Sequence, residues 1–449
     1  MRMAITAHTF FSAVKENSLP LLTGILIALI WINTAPNSYN YLFGTDSNEK
    51  HFKFFDEEVF GYDATITFLI NDGFMVFFFS MAAKGITEAL HPGGSLNPIR
   101  KAICPVLATL GGILGPIVVF FVVANIQISS GAYAYSNETV LNGWGVPTAT
   151  DISLAWVAAK AVFGAKSPAI DFLLLLAIVD DGIGLIIIAV FYPDPTRPVQ
   201  PIWLLLTLAG VFAAFLLRRF AKVGFWPFYV SGPGLCSWIG LMKSGIHPAL
   251  ALVPIVPFIP MQSCQQSSSI QQKLGSRLPE KLRGANQLQS YEDSISTFVT
   301  FGMFFFGLAN AGVRLNEFGH MTICIMLCLM VGKPLGISAV IFVVSFFGPN
   351  YSSGLSTRDT LMLSSIGGLG LTVALFVAGV AFPEAPSLRG QAKLGALAAA
   401  ALTGPFCVGF GRLMETQGNG FKKPPLQTTA AGSSKKEENL SEKGSAAAK

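Results

Sequence analysis

Charged residues are scarce in this sequence. Asp, Glu, Lys and Arg make up 12% of the 449 residues, whereas a globular domain carries about 25%. Hydrophobic residues make up 52% of the chain, and its mean hydropathy is +0.56. This balance excludes disorder, nucleic-acid binding and a water-soluble enzyme as default interpretations, and it predicts a polytopic membrane protein. The net charge of +5 indicates no nucleic-acid partner, because Lys and Arg must first be assigned to the two sides of a membrane.

Cysteine is also rare, and its spacing is not that of a metal site or a disulfide framework. The six cysteines show no CxxC spacing and have no neighbouring His. We expect them to act as small apolar side chains. Residues 1–17 lack a long apolar core and a small-residue cleavage site, which predicts no removable signal peptide. The first membrane span is then expected to direct insertion.

Long apolar runs dominate the rest of the chain. About 20 apolar residues are needed to cross a bilayer, and twelve runs qualify as spans. They are 18–36, 64–87, 102–126, 145–163, 168–192, 200–217, 225–243, 246–262, 295–313, 319–347, 358–382 and 391–411. If the N-terminus is inside, inner segments carry about twice as many Lys and Arg as outer segments, before the C-terminal tail is counted. This excess indicates that both termini are cytoplasmic.

The predicted organisation is an all-α polytopic membrane protein. A cytoplasmic segment over 1–17 precedes a transmembrane domain over 18–411, and residues 413–449 have the polar composition of a disordered cytoplasmic tail. Residues 38–63 form an outer loop, and the alternating pattern at its centre predicts a short β-hairpin. This loop is also the candidate contact of a homodimer.

Two segments of the chain repeat each other in opposite orientations. Residues 111–123 (GGILGPIVVFFVV) and 332–344 (GKPLGISAVIFVV) are identical at seven of thirteen positions, and the spans that carry them run in opposite directions. The span after each copy is interrupted, in span four at Pro147. In span eleven the interruption is a group of three glycines, Gly367, Gly368 and Gly370. Paired interrupted spans are typical of a transporter with its site near the bilayer midplane.

Few ionisable residues lie deep in the predicted spans. Asp180 and Asp181 stand midway along the apolar span five, Asp151 follows Thr150 in span four, and Lys333 lies in span ten. Charge at this depth is costly and therefore suggests a function. Carboxylate, hydroxyl and carbonyl oxygens suit a small hard cation, and a desolvated carboxyl also competes for protons. The pattern favours cation–proton exchange, with a static polar network as the alternative.

A series of motifs resembles the NhaA family of sodium/proton antiporters. The motifs are LINDG at 69–73, GWGVPTATDISLAW at 143–156, LAIVDDGIGLIIIAVFY at 176–192, KSGIHPALA at 243–251, LANAGVRL at 308–315, GKPLGIS at 332–338 and GGLGLTVALFVAGVAF at 367–382. The resemblance covers residues 18–411. It implies about twelve transmembrane helices with inverted repeats, in which the interrupted spans four and eleven cross, and a place in the cell inner membrane.

The resemblance also implies a role for individual residues. Asp181 would be the principal cation ligand, and Asp180 would form a salt bridge with Lys333 that breaks when the cation binds. Asp151 and Thr150 would lie where the interrupted spans cross, with the acid balancing helix-end dipoles.

The implied activity is exchange of Na⁺ or Li⁺ for protons, which regulates cytoplasmic pH and sodium without a cofactor. His247 corresponds to a position linked with pH response in the family. Two segments depart from the family pattern: MAAKGITEAL has Lys84 and Gly85 where an acid is expected, and SYEDSIST replaces a His-bearing stretch before span nine. In the family, both regions serve pH sensing and the path by which cations reach the site. We therefore expect the exchange to depend differently on pH, while the chemistry at the acid pair is retained.

Two other functions compete with antiport. A sodium-coupled symporter of organic anions on the same scaffold would need more polar side chains at the crossing. An intramembrane aspartyl protease would need acids on two helices with a GxGD element, but GGLGLT contains no Asp. A light-driven protein with a Schiff-base Lys would have about seven spans. The sequence therefore predicts a secondary transporter, not an enzyme.

Overall fold

The structure is a computed structural model that describes residues 18–44, 52–54, 63–96, 99–164, 167–193, 200–220, 224–261, 286–346, 355–417 and 421. The predicted segment 1–17 lies outside the described residues, and so does the predicted tail 413–449 apart from 413–417 and 421. Residues 413–416 continue the last helix, since Met414 packs against a buried cluster instead of projecting into water.

The described residues form α-helices with short 3-10 and π turns between or inside them. In the first half the helices are α1 (Leu19–Thr34), α2 (Pro36–Phe43), α3 (Ile66–Leu90), α4 (Ile99–Ser129), α5 (Asn137–Leu141), α6 (Ile152–Phe163) and α7 (Pro168–Phe191). In the second half they are α8 (Pro201–Arg219), α9 (227–244), α10 (Gln287–Asn310), α11 (His320–Ser345), α12 (Thr357–Gly367), α13 (Thr372–Ala381) and α14 (Pro386–Thr416). The all-α prediction is confirmed for this part of the chain.

Six of these helices are long and apolar enough to cross a membrane, namely α3, α4, α7, α8, α11 and α14. The pair α12 and α13, bent by 47° at a short break, would be a seventh span, and α1 and α6 are apolar but shorter. Large apolar side chains such as Val118, Ile186 and Phe406 are exposed on the outer faces, as contact with lipid requires. The architecture of the described residues is that of a polytopic membrane protein.

Predicted span eight, residues 246–262, contains no α-helix within its described part. Residues 246–261 form two 3-10 turns, Pro248–Leu250 and Val256–Phe258, joined by further turns. The prediction of a helix is wrong here because four residues of the segment are prolines, which lack the N–H donor of a helix interior. Buried residues such as Leu252 and Ile255 show that protein encloses this irregular backbone, as its exclusion from lipid demands.

The outer loop 38–63 also differs from its prediction. Its first residues belong to α2, which begins with Pro36 at the first helical position and buries Tyr39 and Phe43, one turn apart, against Trp31. A helix replaces the expected loop over that stretch, because the 39/43 spacing has the helical period. The centre of the loop, where the hairpin is predicted, lies mostly outside the described residues. Among the described residues of the loop, the only β pairing is an isolated antiparallel bridge between Lys53 and Thr65.

The two copies of the repeat pack directly against each other. Gly111 and Gly115 of α4 face Gly332 and Gly336 of α11, and a Cβ atom at Gly111 or at Gly336 would overlap the backbone of the other. Both copies thus carry glycines four residues apart on the face that meets the partner. Small residues at this spacing let two membrane helices approach closely, so the glycines of the repeat are explained by packing.

Candidate functional site

The interruptions of predicted spans four and eleven lie in contact. Helix α6 starts only at Ile152, after a 3-10 turn over Asn142–Gly145, and α12 ends at Gly367 before α13 starts at Thr372. The Asp151 N–H donates a hydrogen bond of 2.6 Å to the Leu369 carbonyl. The Thr150 hydroxyl donates one of 2.9 Å to the Gly367 carbonyl. Each break therefore supplies hydrogen-bond partners to the other, so that some of the backbone groups freed by the interruptions are bonded.

Residue size explains why glycine occupies the second break. A Cβ atom at Gly370 would overlap the Ala149 carbonyl, and one at Gly368 would lie 2.5 Å from the Leu329 carbonyl. Neither glycine has a positive φ, so close approach of backbone segments requires them here. Pro147 lies in the first break, four residues before Asp151, within the turns that precede α6. Gly368 and Gly370 thus lie where two backbone segments come into close contact.

Asp151 caps two helices at once. One carboxylate oxygen accepts a hydrogen bond from Leu154 N in the first turn of α6 at 3.1 Å, and the other accepts from Thr372 N at the start of α13 at 3.3 Å. The residue is 3% exposed. A carboxylate at a helix N-terminus satisfies free N–H groups and balances the helix dipole. Here one buried charge does so for both helices that start at the breaks.

Lys333 is fully buried and pairs with one acid of the adjacent pair. Its Nζ lies 2.7 Å from Asp180 Oδ2 and donates a second hydrogen bond of 2.5 Å to the Thr148 carbonyl. The side chains of Lys333 and Asp180 are 0% and 1% exposed. Because Thr148 lies in the first break, that break supplies an acceptor which the sequence analysis did not identify. No signal in the sequence identifies a backbone carbonyl as a partner of a distant lysine.

The remaining carboxylate oxygens of the acid pair stand apart from this network. Asp180 Oδ1 and Asp181 Oδ1 are buried and make no hydrogen bond to the described residues. Asp180, Asp151 and Lys333 all lie close enough to Asp181 to act on its charge. A buried carboxylate without a partner is strongly destabilised unless a cation or a proton joins it. The arrangement is therefore chemically suited to bind either one.

The described residues contain no group of three or more His, Cys, Asp or Glu side chains that could hold a metal ion. A cation at the Asp pair would complete its ligands with hydroxyl and carbonyl oxygens or with water. Such weak, hard donors suit an alkali cation that is bound and released, and they do not suit a tightly held transition metal.

His247 lies away from the Asp pair and next to Asp72. Its Nδ1 is 3.5 Å from Asp72 Oδ1 and accepts a hydrogen bond from Ala249 N, and its ring lies 4.8 Å from that of Phe376 in α13. No pattern in the sequence connects Asp72 with His247, because the two residues are far apart along the chain. Through Phe376, the histidine contacts the helix that Asp151 caps.

Comparison with known proteins identifies the family. Residues 8–410 match the family described as Na+/H+ antiporter 1. The chain belongs to this family. It is 46% identical over 383 residues to the Na(+)/H(+) antiporter NhaA of Desulfitobacterium hafniense (strain DSM 10664 / DCB-2), covering 85% of this chain and 90% of the relative.

Further antiporter relatives agree with this assignment. The chain is 44% identical over 383 residues to the NhaA protein of Geobacter sulfurreducens, covering 85% of this chain and 92% of the relative. It is 43% identical over 403 residues to that of Geobacter metallireducens, covering 90% and 97%. The resemblance drawn from the motifs is thereby confirmed, and membership of an antiporter family excludes the protease alternative.

Within the antiporter family, the two segments that depart from the usual pattern meet in space. Lys84 Nζ lies 2.6 Å from Glu88 Oε2 on its own helix and 2.6 Å from Glu292 Oε2 on α10. Glu292 belongs to the SYEDSIST segment and Lys84 to MAAKGITEAL, so the two departures form one ion-paired cluster. At Gly85 a Cβ atom would meet only Ile178 side-chain atoms at 3.7 Å or more. Space therefore does not forbid an acid there.

Proposed function

We propose that the protein exchanges Na⁺ or Li⁺ for protons across the cell inner membrane and thereby regulates cytoplasmic pH and sodium. One observation carries the proposal: the adjacent buried acids Asp180 and Asp181 each keep an oxygen without a hydrogen-bond partner among the described residues, beside a single buried lysine. Membership of the Na⁺/H⁺ antiporter family supports the identity of both ions. Asp181 is the principal cation ligand, and Asp180 is the second.

Exchange follows from competition for the same oxygens. A cation held by the free oxygens of both carboxylates brings a second positive charge next to Lys333, whose Nζ lies 2.7 Å from Asp180 Oδ2, and the two positive charges repel each other. Cation binding therefore separates the ion pair, and protons leave the site in return. When the cation departs, Lys333 pairs with Asp180 again and Asp181 takes up a proton. Since neither carboxylate can hold both partners at once, the two fluxes are coupled without a cofactor.

The residues at the breaks position this chemistry. We assign Asp151 to stabilising both helix N-termini and Thr150 to closing the contact with α12, as their hydrogen bonds support. The hydroxyl oxygen of Thr150 and the carbonyl of Thr148 are candidate further ligands, because both are hard donors near the acids. Pro147 and the glycines at 367, 368 and 370 maintain the breaks, and His247 modulates the response to pH through α13.

We further infer twelve membrane crossings with inverted repeats and cytoplasmic termini. The contact between the two repeat copies and the contact between the two breaks support crossing of spans four and eleven. The eighth crossing would be the segment predicted over 246–262, whose described part, 246–261, is irregular and enclosed by protein. The outer loop 38–63 is the proposed homodimer contact, since Tyr41 and Phe54, each 49% exposed, place two aromatic rings on its surface.

The test is ion-driven dequenching of a pH-sensitive dye in vesicles that contain the purified protein. Na⁺ and Li⁺ should each dissipate a preformed pH gradient, and K⁺ serves as the comparison ion. Asp181→Asn should abolish the signal, whereas Asp171→Asn, an exposed position on the same helix, should retain it. Normal Na⁺-dependent dequenching by a well-folded Asp181→Asn protein would contradict the assignment. Dequenching that requires an organic anion would favour the symporter instead.

A further inference from the structure

A large cavity lies beside the helix that carries the acid pair. It has a volume of about 790 Å³ and is lined on one side by residues of α7, among them Val179, Ile183 and Ile186, which flank Asp180 and Asp181 in sequence. Residues of α3, α4, α8, α9 and the 246–254 turns form the rest of the lining. Helix α7 packs on α3, α4, α6 and α12, whereas α8 packs chiefly on α9. The cavity therefore separates these two groups of helices.

The walls of the cavity are almost wholly apolar. Of the described residues that line it, Thr207 alone has a polar side chain, and that hydroxyl already donates a hydrogen bond to the Ser237 carbonyl. The volume would hold about 26 water molecules at roughly 30 Å³ each. Water in a cavity needs two to four polar partners per molecule, and apolar cavities stay dry. The cavity thus excludes water as its natural content.

The cavity has an exposed rim and a buried base. Leu90, Leu107 and Ile186 line its rim and are 63%, 37% and 62% exposed, whereas Leu241 and Leu250 line its base and are 7% and 6% exposed. Helices α3, α4 and α7, which form the rim, are all apolar enough to cross the membrane. A rim of exposed apolar side chains on membrane helices contacts lipid tails. The opening is therefore accessible from the hydrocarbon core.

We propose that this cavity binds one acyl chain of a phospholipid from the surrounding bilayer. Its apolar walls and its rim of exposed apolar side chains match a hydrocarbon tail, and its volume exceeds that of a single tail. The acyl chain fills the gap between α7, which carries the acid pair, and the α8–α9 pair. Because the chain is flexible, it can change its shape when α7 or the α8–α9 pair moves.

The site does not depend on the ions that the protein exchanges. Asp180 Oδ2 bonds Lys333 of α11, whereas the cavity is bounded by other residues of α7 and by helices that carry no part of the ion site. An acyl chain would therefore bind whether or not Na⁺ is transported. This independence allows a test that reads lipid binding directly.

The experiment uses the full-length protein in vesicles of phosphatidylethanolamine and phosphatidylglycerol whose acyl tails carry a photoreactive diazirine. After illumination, labelled residues are mapped by peptide mass spectrometry. We expect labels at Leu241 or Leu250 of the cavity base, which lipid on the outer surface cannot reach. Val106→Trp on α4 and Val253→Trp in the 246–254 turns, which fill the cavity from two separate lining segments, should each remove at least nine tenths of that label. Leu114→Trp, on the exposed face of α4, is the matched control and should leave the label intact.

The outcomes distinguish the occupants. Label at the cavity base that both filling variants remove supports an acyl chain. Label restricted to exposed residues such as Leu114, or base label that persists in a correctly folded filling variant, overturns the proposal. Labelling of wild-type protein is informative even if a variant fails to fold. Because no transport is measured, a failed antiport assay and a failed lipid site are separate results.

Discussion

Two lysines hold carboxylates in this protein, and they do so in different surroundings. Lys333 is fully buried and pairs with one acid of an adjacent pair, which leaves oxygens of both acids without hydrogen bonds among the described residues. Lys84 pairs with Glu88 and Glu292, whose side chains are 36% and 34% exposed. Lys84 has two carboxylate partners, and water also solvates both of them. Lys333 has one carboxylate partner, so part of the negative charge of the acid pair is not balanced. The difference supports the inner cluster as the proposed site for a cation or a proton.

The largest effect is expected from removing the inner lysine. Lys333→Met should destabilise the protein by about 3–5 kcal/mol, because it leaves the buried Asp180 carboxylate without its partner. Thermal unfolding in detergent measures the loss. The double variant Asp180→Asn/Lys333→Met should recover part of it, since no uncompensated charge remains. Wild-type melting behaviour of Lys333→Met would show that the inner pair contributes nothing to stability and would remove the contrast between the two lysines.

A smaller loss is expected at the acid that joins the two breaks. Asp151→Ala should cost about 2 kcal/mol, because two helix caps worth roughly 1 kcal/mol each are lost together. Asp151→Asn retains one acceptor oxygen and should cost about half as much. Urea or thermal unfolding compares them, with Asp171→Ala as a control at an exposed first-turn acid. Equal stability of Asp151→Ala and wild type would contradict the double cap.

The outer lysine should matter less and should respond to salt. Lys84→Met removes two partly exposed ion pairs, each worth about 0.2–1 kcal/mol. Since salt screens exposed charges, the difference from wild type should shrink as ionic strength rises. The loss in Lys333→Met should persist, because buried pairs are screened much less. Equal salt dependence of the two variants would place both clusters in the same environment.

The smallest change is expected at the histidine. His247→Ala should move the pH profile of exchange only modestly, because the described contacts of His247 include Asp72 and Phe376, whereas the proposed ion site is the acid pair. Protons and Na⁺ compete at the carboxylates, so the half-saturating Na⁺ concentration should rise steadily as pH falls in both proteins. Dequenching titrations at several pH values measure it. A constant half-saturating concentration, or a variant inactive at every pH, would indicate a separate pH sensor.

Much of the site could be predicted from the sequence because its signals are local. Two acids in an apolar helix, a lone lysine in another and a group of glycines stand out against their surroundings without any knowledge of the fold. The partners of these groups are not local. The Thr148 carbonyl at Lys333, Thr372 N at Asp151 and Glu292 at Lys84 lie between 185 and 221 residues from those side chains along the chain.

The fold was predictable where hydrophobicity alone decides it. Helices α3, α4, α7, α8, α11 and α14 overlap predicted spans because apolar runs of that length have few other conformations in a membrane. The segment 246–262 is equally apolar, but its prolines prevent a regular helix. Hydrophobicity alone does not reveal this effect of proline. Helix α10 begins at Gln287, before the predicted residue 295, because Asn286 caps it and Tyr291 is buried. A hydropathy pattern does not reveal these polar and aromatic contacts.

The pairing of Asp180 with Lys333 has a consequence for biosynthesis. The two residues are 153 positions apart, and translation at about 5–20 residues per second separates their appearance by roughly 8–30 s. During that interval α7 lies in the membrane with Asp180 and Asp181 but without Lys333. The glycine face of α4 is also uncovered, because α11 has not yet been made. The first half of the protein is therefore incompletely packed until the second half is made. The ion-binding centre is among the last parts of the molecule to be assembled.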